Sequence, residues 1–167
     1  MSHHLLQRYL ERSKQNRIDP EKRHRLFAEG QHPNAVVLCC SDSRVVPELI
    51  FDADIGELFV IRTAGNSLGE NEYRSIEYAC CHLHVHEVYV LGHTNCGAVA
   101  EVLAGKYQQN PLLFLLHQNI GDEADPKNAS ITNAKQVKKQ IKERLNNDQI
   151  SVSALLYDID DGSVTLL

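Results

Sequence analysis

The sequence predicts an α/β fold, a single domain on a mainly parallel central sheet flanked by helices. Three observations predict it. Strand-like apolar runs alternate with segments of helical spacing along the 167 residues, as in strand–helix–strand units. The run Ala35 to Cys40 is apolar throughout, as a strand covered on both faces requires. Residues with metal-binding chemistry fall at the ends of the first and third such runs, Cys40 after one and His93 with Cys96 after the other, where open parallel sheets place their sites.

Taken in order, residues 3–16 read as an amphipathic helix with an apolar stripe of Leu6, Tyr9 and Leu10. Asp19-Pro20 opens a second helix, with Asp19 as N-cap and Pro20 at the first helical position, ending near Gly30. The two form a helical arm, about residues 3–30, of one domain spanning 1–167. Ala35–Cys40 is the first strand, Val46 to Phe51 a short helix and Leu58 to Ile61 the second strand. Leu68 to Leu83 has helical spacing through Tyr73, Ile76, Ala79, Cys80 and Leu83. Glu87 to Leu91 is the third strand, and a helix runs from near Cys96 to about Leu103. Residues 111–120 are apolar and helical, and Ala134 to Leu145 is a polar helix. Ser151 to Tyr157 and Ser163 to Leu167 bracket Asp160-Asp161-Gly162, a hairpin signal.

Composition removes several classes of function. The formal net charge is −5, so there is no basic footprint for nucleic acid. No apolar run has the length to span a membrane. The N-terminus lacks the apolar core of a secretory signal. Five cysteines without such a signal point to a reducing compartment, so a cytoplasmic location is expected. Cys39, Cys80 and Cys81 read as small buried apolar side chains. Cys39 alternates with Cys40 along a strand and faces away from it. His82, His84 and His86 read as solvent-facing, and Lys135, Lys138, Lys139, Lys142 and Arg144 as a solvated helix face.

The chemistry lies in Cys40-Ser41-Asp42-Ser43-Arg44 and His93-Thr94-Asn95-Cys96. Cys40, His93 and Cys96 offer zinc two thiolates and an imidazole. A fourth tetrahedral position stays open for water, the layout of a catalytic rather than a structural site. Bound zinc draws thiol protons off, and two thiolates balance its charge. It also brings the pKa of water near neutrality, so hydroxide is available at pH 7. These residues alone give a hydrolytic or hydrating enzyme with one zinc per subunit.

Further segments accompany the two motifs: Gln31-His32-Pro33, Gly56-Glu57-Leu58-Phe59-Val60-Ile61-Arg62, Ala64-Gly65-Asn66, Ser75-Ile76-Glu77-Tyr78-Ala79 and Val90-Leu91-Gly92 before His93. In order and spacing, from about residue 25 to 105, the set resembles the β-class carbonic anhydrases. Leu156-Tyr157-Asp158-Ile159 with Gly162 resembles the family's last strands, while 106–150 matches loosely and looks shortened. The resemblance implies carbon dioxide as substrate, hydrated to bicarbonate and a proton. It implies that Arg44 holds Asp42 through paired hydrogen bonds and that Asp42 accepts one from zinc-bound water. It places Gln31, Phe59 and Tyr78 along the substrate pocket, and Gly97 at a helix start that approaches an anion closely. Because the family builds part of this pocket from a neighbouring subunit, a homodimer or larger homo-oligomer is implied.

Relatives with the same motif hydrolyse carbonyl sulfide or carbon disulfide, an alternative that the sequence leaves open. A non-catalytic zinc-binding homologue would not need Asp42 and Arg44. Two departures stand out. Thr63 replaces the Asn usual in the family's Arg-Asn-Ala-Gly-Asn run. Val37 occupies the place of the Trp that some members use to bind inhibitory bicarbonate, although Arg62 and Tyr78 match its companions, and the chain contains no Trp.

Overall fold

The computed structural model describes residues 5–8 and 18–167. The chain divides into two compact units, residues 1–31 and 32–167. In the first, residues 5–8 are helical, and the rest of the helix expected over 3–16 lies outside the described residues. Helix α1, Pro20–Glu29, begins as the sequence dictates: Asp19 accepts a hydrogen bond from the Glu21 amide and Pro20 occupies the first turn. It stops at Gly30, whose φ of 81° suits glycine.

The second unit is built on a five-stranded sheet ordered β2-β1-β3-β4-β5. The strands are β1 (Ala35–Cys40), β2 (Leu58–Thr63), β3 (Glu87–His93), β4 (Ser151–Tyr157) and β5 (Val164–Leu166). The first four run parallel, and β5 pairs antiparallel with β4 across the predicted hairpin. From β1 the chain moves to one side to make β2, then returns past β1 to make β3. The direction of winding therefore reverses between β1 and β3, and this switch point, at the carboxyl ends of the strands, is where open α/β sheets place their sites.

The helices follow from their apolar faces. After α2 (Pro47–Ile50), α3 (Glu70–His82) buries Tyr73, Ile76, Ala79 and Cys80. The next two are α4 (Gly97–Leu103) and α5 (Pro111–Ile120). The last, α6, runs Pro126–Leu145 and so starts eight residues before the predicted Ala134. Its signal is the same Asp-Pro pair that opens α1: the Asp125 carboxylate accepts from the Asn128 amide and Pro126 leads the first turn. Nor is α6 polar all round. It buries Ala129, Ser130, Asn133, Ala134, Val137 and Ile141, a stripe of mostly small residues that brings it close to the sheet. At Gly92 of β3 a Cβ would sit 3.2 Å from the Ser130 carbonyl oxygen and 3.3 Å from Ala134 Cβ.

Alternation along the strands sorts side chains between the two faces. Val36, Leu38, Val88, Val90, Val152 and Ala154 pack with α3 and α6 residues. Val37, Cys39, Leu91 and Leu155 gather in a separate cluster with Val45, flanked by half-buried Leu58, Val60, Tyr89, Tyr157 and Ile159. Cys39 and Cys80 are buried as expected, and burial pushes their thiols up to about 12 and about 11. Cys81 is exposed, contrary to expectation, because α3 turns its Cys80 face to the core and the next residue away from it.

Candidate metal centre

Cys40 is the last residue of β1, His93 the last of β3, and Cys96 is the N-cap of α4. The β1–β3 pairing brings these ends together at the switch point. The ligand atoms of all three lie within 4.8 Å of one another, and the residues are buried. This is the one such cluster among the described residues, and His82, His84 and His86 are exposed and outside it.

The histidine is set to bind a metal. His93 Nδ1 lies 2.8 Å from the Thr94 carbonyl oxygen, so it carries the proton and donates it there. That fixes the tautomer and leaves the Nε2 lone pair free. Nε2 is buried and has no hydrogen-bond partner among the described residues. A buried acceptor with no donor is costly, and a metal ion removes the cost. The donor set, two sulfurs and one imidazole nitrogen, is that of a zinc site with one open position. The residues present therefore fit zinc.

The sulfurs differ. Cys40 Sγ accepts from the Gly65 amide at 3.2 Å and from the Asp42 amide at 3.4 Å. The Cys96 thiol beside it is the largest influence lowering the Cys40 pKa. Burial opposes, and His93 with the two amides adds to the lowering. Cys96 is pushed up by that same hydrogen bond and by burial, against the Val99 and Ala98 amides of α4. Of the two thiols Cys40 is therefore the more easily deprotonated, and a divalent cation bound there would be held by both as thiolates.

Beside Cys40 the expected acid–base pair is formed. Arg44 donates from Nε to Asp42 Oδ1 at 2.9 Å and from its terminal nitrogen to Oδ2 at 2.7 Å, the bidentate fork. The Arg44 amide also donates to Oδ1 at 3.0 Å. The Arg44 side chain, by these bonds, holds the Asp42 carboxyl well below the usual carboxylate range against the effect of burial. Arg44 also donates to the Asn95 carbonyl at 3.1 Å, tying the loop after β1 to the loop that carries His93 and Cys96.

Several contributors have no role at the metal cluster assigned from the sequence. Arg62 donates to the carbonyls of Cys40, Asp42 and Val45 at 3.3, 2.7 and 2.7 Å, clamping the loop from the neighbouring strand. The Thr94 hydroxyl donates to Asp158 at 3.1 Å and accepts from the Ile159 amide at 3.0 Å, pinning the residue that orients His93. Gly65 and Asn133 are a third case. Gly65 belongs to the quoted Ala64-Gly65-Asn66, and its signal is a glycine at a left-handed φ of 66°. Asn133 carries no signal in the sequence at all.

Other expected residues are not brought to the cluster within this unit. Phe59 and Tyr78 form a tilted aromatic pair, centroids 6.3 Å apart. Phe59 pairs with Val36, whereas Cys40 pairs with Thr63, four positions further along β2. That separation is about 13 Å along the strand. Gly97 does open α4, but among the described residues a Cβ built there meets nothing within 4 Å. Gln31 is exposed and belongs to the first unit.

An open α/β sheet with a Cys–His–Cys cluster able to hold a metal at its switch point is the class that fold and site define. The carbonic anhydrase family model matches residues 35–164. Carbonic anhydrase 2 of Mycobacterium tuberculosis is 35% identical over 159 residues, covering 84% of this chain and 77% of its own length. The β-carbonic anhydrase CafA of the fungal pathogen Aspergillus fumigatus superposes with a TM-score of 0.78 at 28% identity, covering 98% of this chain and 88% of that one. The fold is also shared, at a TM-score of 0.75 and 24% identity, with a structure from the filamentous ascomycete Sordaria macrospora described as that of tetrameric β-carbonic anhydrases. The match covers 99% of this chain and 95% of that one. The chain belongs to the β-carbonic anhydrase family of enzymes.

Proposed function

We propose that this chain catalyses the reversible hydration of carbon dioxide to bicarbonate and a proton, with one zinc ion per subunit held by Cys40, His93 and Cys96. The observation that carries this reading is the His93 imidazole, whose Nε2 is buried with no hydrogen-bond partner among the described residues, grouped with the two cysteine sulfurs so that the ligand atoms lie within 4.8 Å of one another. Zinc held there acts as a Lewis acid that makes water nucleophilic near neutral pH.

The protein's own groups supply the rest. Asp42, ionised and clamped by Arg44, keeps lone-pair capacity on Oδ2 to accept a hydrogen bond from the nucleophile and fix its orientation. A scaffold that only stored metal would gain nothing from that pair. Val99, Val102 and Leu116 pack around Cys40 and Cys96. Their low-dielectric surroundings strengthen the electrostatics of the site and suit a neutral substrate. Gly97, at the start of α4, is left uncrowded for bicarbonate.

Phe59 lies about 13 Å along β2 from the level of Cys40, with Tyr78 of α3 beside it, so we assign both to the pocket of a second copy. A homodimer or larger homo-oligomer follows. Support comes from the half-buried apolar face of Leu58, Val60, Tyr89 and Tyr157. The five free cysteines suit a cytoplasmic location. Among the described residues no helix is long and apolar enough to cross a membrane.

The test is stopped-flow carbon dioxide hydration beside carbonyl sulfide and carbon disulfide turnover on one zinc-loaded sample. Carbon dioxide hydration is expected to dominate. Turnover of the sulfur compounds with negligible hydration would overturn the substrate assignment.

A further inference from the structure

Asn133 is fully buried on α6 and stands 68 residues from Gly65 in sequence, outside both ligand-bearing motifs. Its Nδ2 donates to the Gly65 carbonyl at 2.9 Å, and its Oδ1 accepts from Asn119 Nδ2 of α5 at 2.9 Å. Asn119 Oδ1 in turn accepts from Gln140 Nε2 at 2.9 Å. The direction of this relay is forced from its inner end. A carbonyl can only accept, so Asn133 must turn its amino group to Gly65, which leaves its oxygen for Asn119 and the Asn119 oxygen for Gln140. A buried amide is tolerated only when both ends are paired, and these are the pairings.

Gly65 links the relay to the metal ligand. Its left-handed backbone, φ 66° and ψ 25°, lets one residue send its N–H to Cys40 Sγ and its C=O to Asn133. A Cβ there would meet Leu116 Cδ2 at 2.8 Å, so the glycine is hemmed in by α5 as well. Two amides feed Cys40 Sγ. That of Asp42 lies two residues away on the same loop, whereas that of Gly65 comes from another element and needs something to hold it.

We propose that Asn133 is a positioning residue for the metal centre: by gripping the Gly65 carbonyl it fixes the Gly65 N–H on Cys40 Sγ and so sets the electron density that this sulfur presents to the metal. The proposal rests on the reading of Cys40 as a metal ligand. An N–H bond to a ligand sulfur lowers the energy of its lone pairs. Losing it moves the sulfur-to-metal charge-transfer band of a cobalt(II)-loaded protein to longer wavelength. Groups that orient ligands in this way typically change metal affinity by on the order of 10- to 100-fold.

The experiment compares Asn133→Leu with Val137→Ala. The first keeps the bulk and removes the grip; the second opens the apolar core four residues on along the same helix without touching the relay. Each is measured for the cobalt charge-transfer band, for zinc affinity by chelator competition and for urea stability. Asn133→Leu is expected to shift the band to longer wavelength and weaken zinc binding by about tenfold. Val137→Ala should lose stability with the band unmoved. An unshifted band and wild-type affinity in Asn133→Leu, or an equal shift in Val137→Ala, would overturn the proposal. Should Asn133→Leu fail to fold, half-buried Asn119→Leu frees the other end of the Asn133 amide. It is expected to give a smaller shift of the same sign, and no shift overturns the proposal. A wild-type protein that binds neither ion would overturn the metal reading itself, and this inference with it.

Discussion

At the scale of single residues, the proposed site divides between groups that would bind the metal and groups that would aim them. Asp42 and Arg44 belong to the second set in that proposal. Asn at 42 keeps the shape but loses the charge, and Ala at 44 removes the fork that holds both carboxylate oxygens. Asp42→Asn and Arg44→Ala are each expected to cut carbon dioxide hydration by on the order of 10- to 100-fold while zinc content stays at wild type. Normal turnover would make the pair a surface ion pair and nothing more. Arg62 holds three carbonyls of the same loop, a pattern that an ammonium cannot reproduce with its single nitrogen. Arg62→Lys is therefore expected to lower turnover by about tenfold with zinc retained. An unchanged rate would show that the loop keeps its shape unaided. The Cys40–His93–Cys96 cluster and the Asp42–Arg44 pair were legible in the sequence because cysteine, histidine and an Asp-x-Arg triplet carry their chemistry in their names. Asn133 was not, and Arg62 was legible only as part of a family motif; both contact backbone carbonyls across the fold, and no residue type announces such a contact.

At the scale of elements, apolar runs and Asp-Pro caps account for most boundaries. All five strands and the helices at 20–29, 47–50, 70–82, 97–103 and 111–120 lie where spacing placed them, within a few residues. Helix α6 is the instructive failure. Its exposed lysines gave it a polar look, and its buried stripe of Ala129, Ser130, Asn133 and Ala134 contains too little hydrocarbon to show as periodicity. Close approach to β3 is the reason those residues are small, and Gly92 is its counterpart on the strand. Gly92→Val is expected to destabilise the protein by about 1–3 kcal/mol through overpacking, read as a lower urea midpoint. Asp125→Ala should cost about 1 kcal/mol through the lost cap. Stability equal to wild type in both would mean that α6 is held by neither contact.

At the scale of the whole molecule, one chain provides the candidate metal cluster and the Asp42–Arg44 pair but leaves Phe59, with Tyr78 of α3 beside it, four positions along β2 from the level of Cys40. The account therefore requires a second copy. Sedimentation velocity at assay concentrations is expected to show a dimer or a larger even-numbered assembly carrying all the activity, and an active monomer would contradict it. The central claim is that Cys40, His93 and Cys96 hold one zinc and that this zinc drives hydration. The most direct measurement adds zinc stepwise to metal-free protein and follows bound metal and stopped-flow carbon dioxide hydration together, in wild type and in Cys96→Ala. Wild type should rise in both and break at one zinc per chain, while Cys96→Ala should bind little and stay inactive. Hydration that does not depend on zinc, or full zinc retention by Cys96→Ala, would contradict the account.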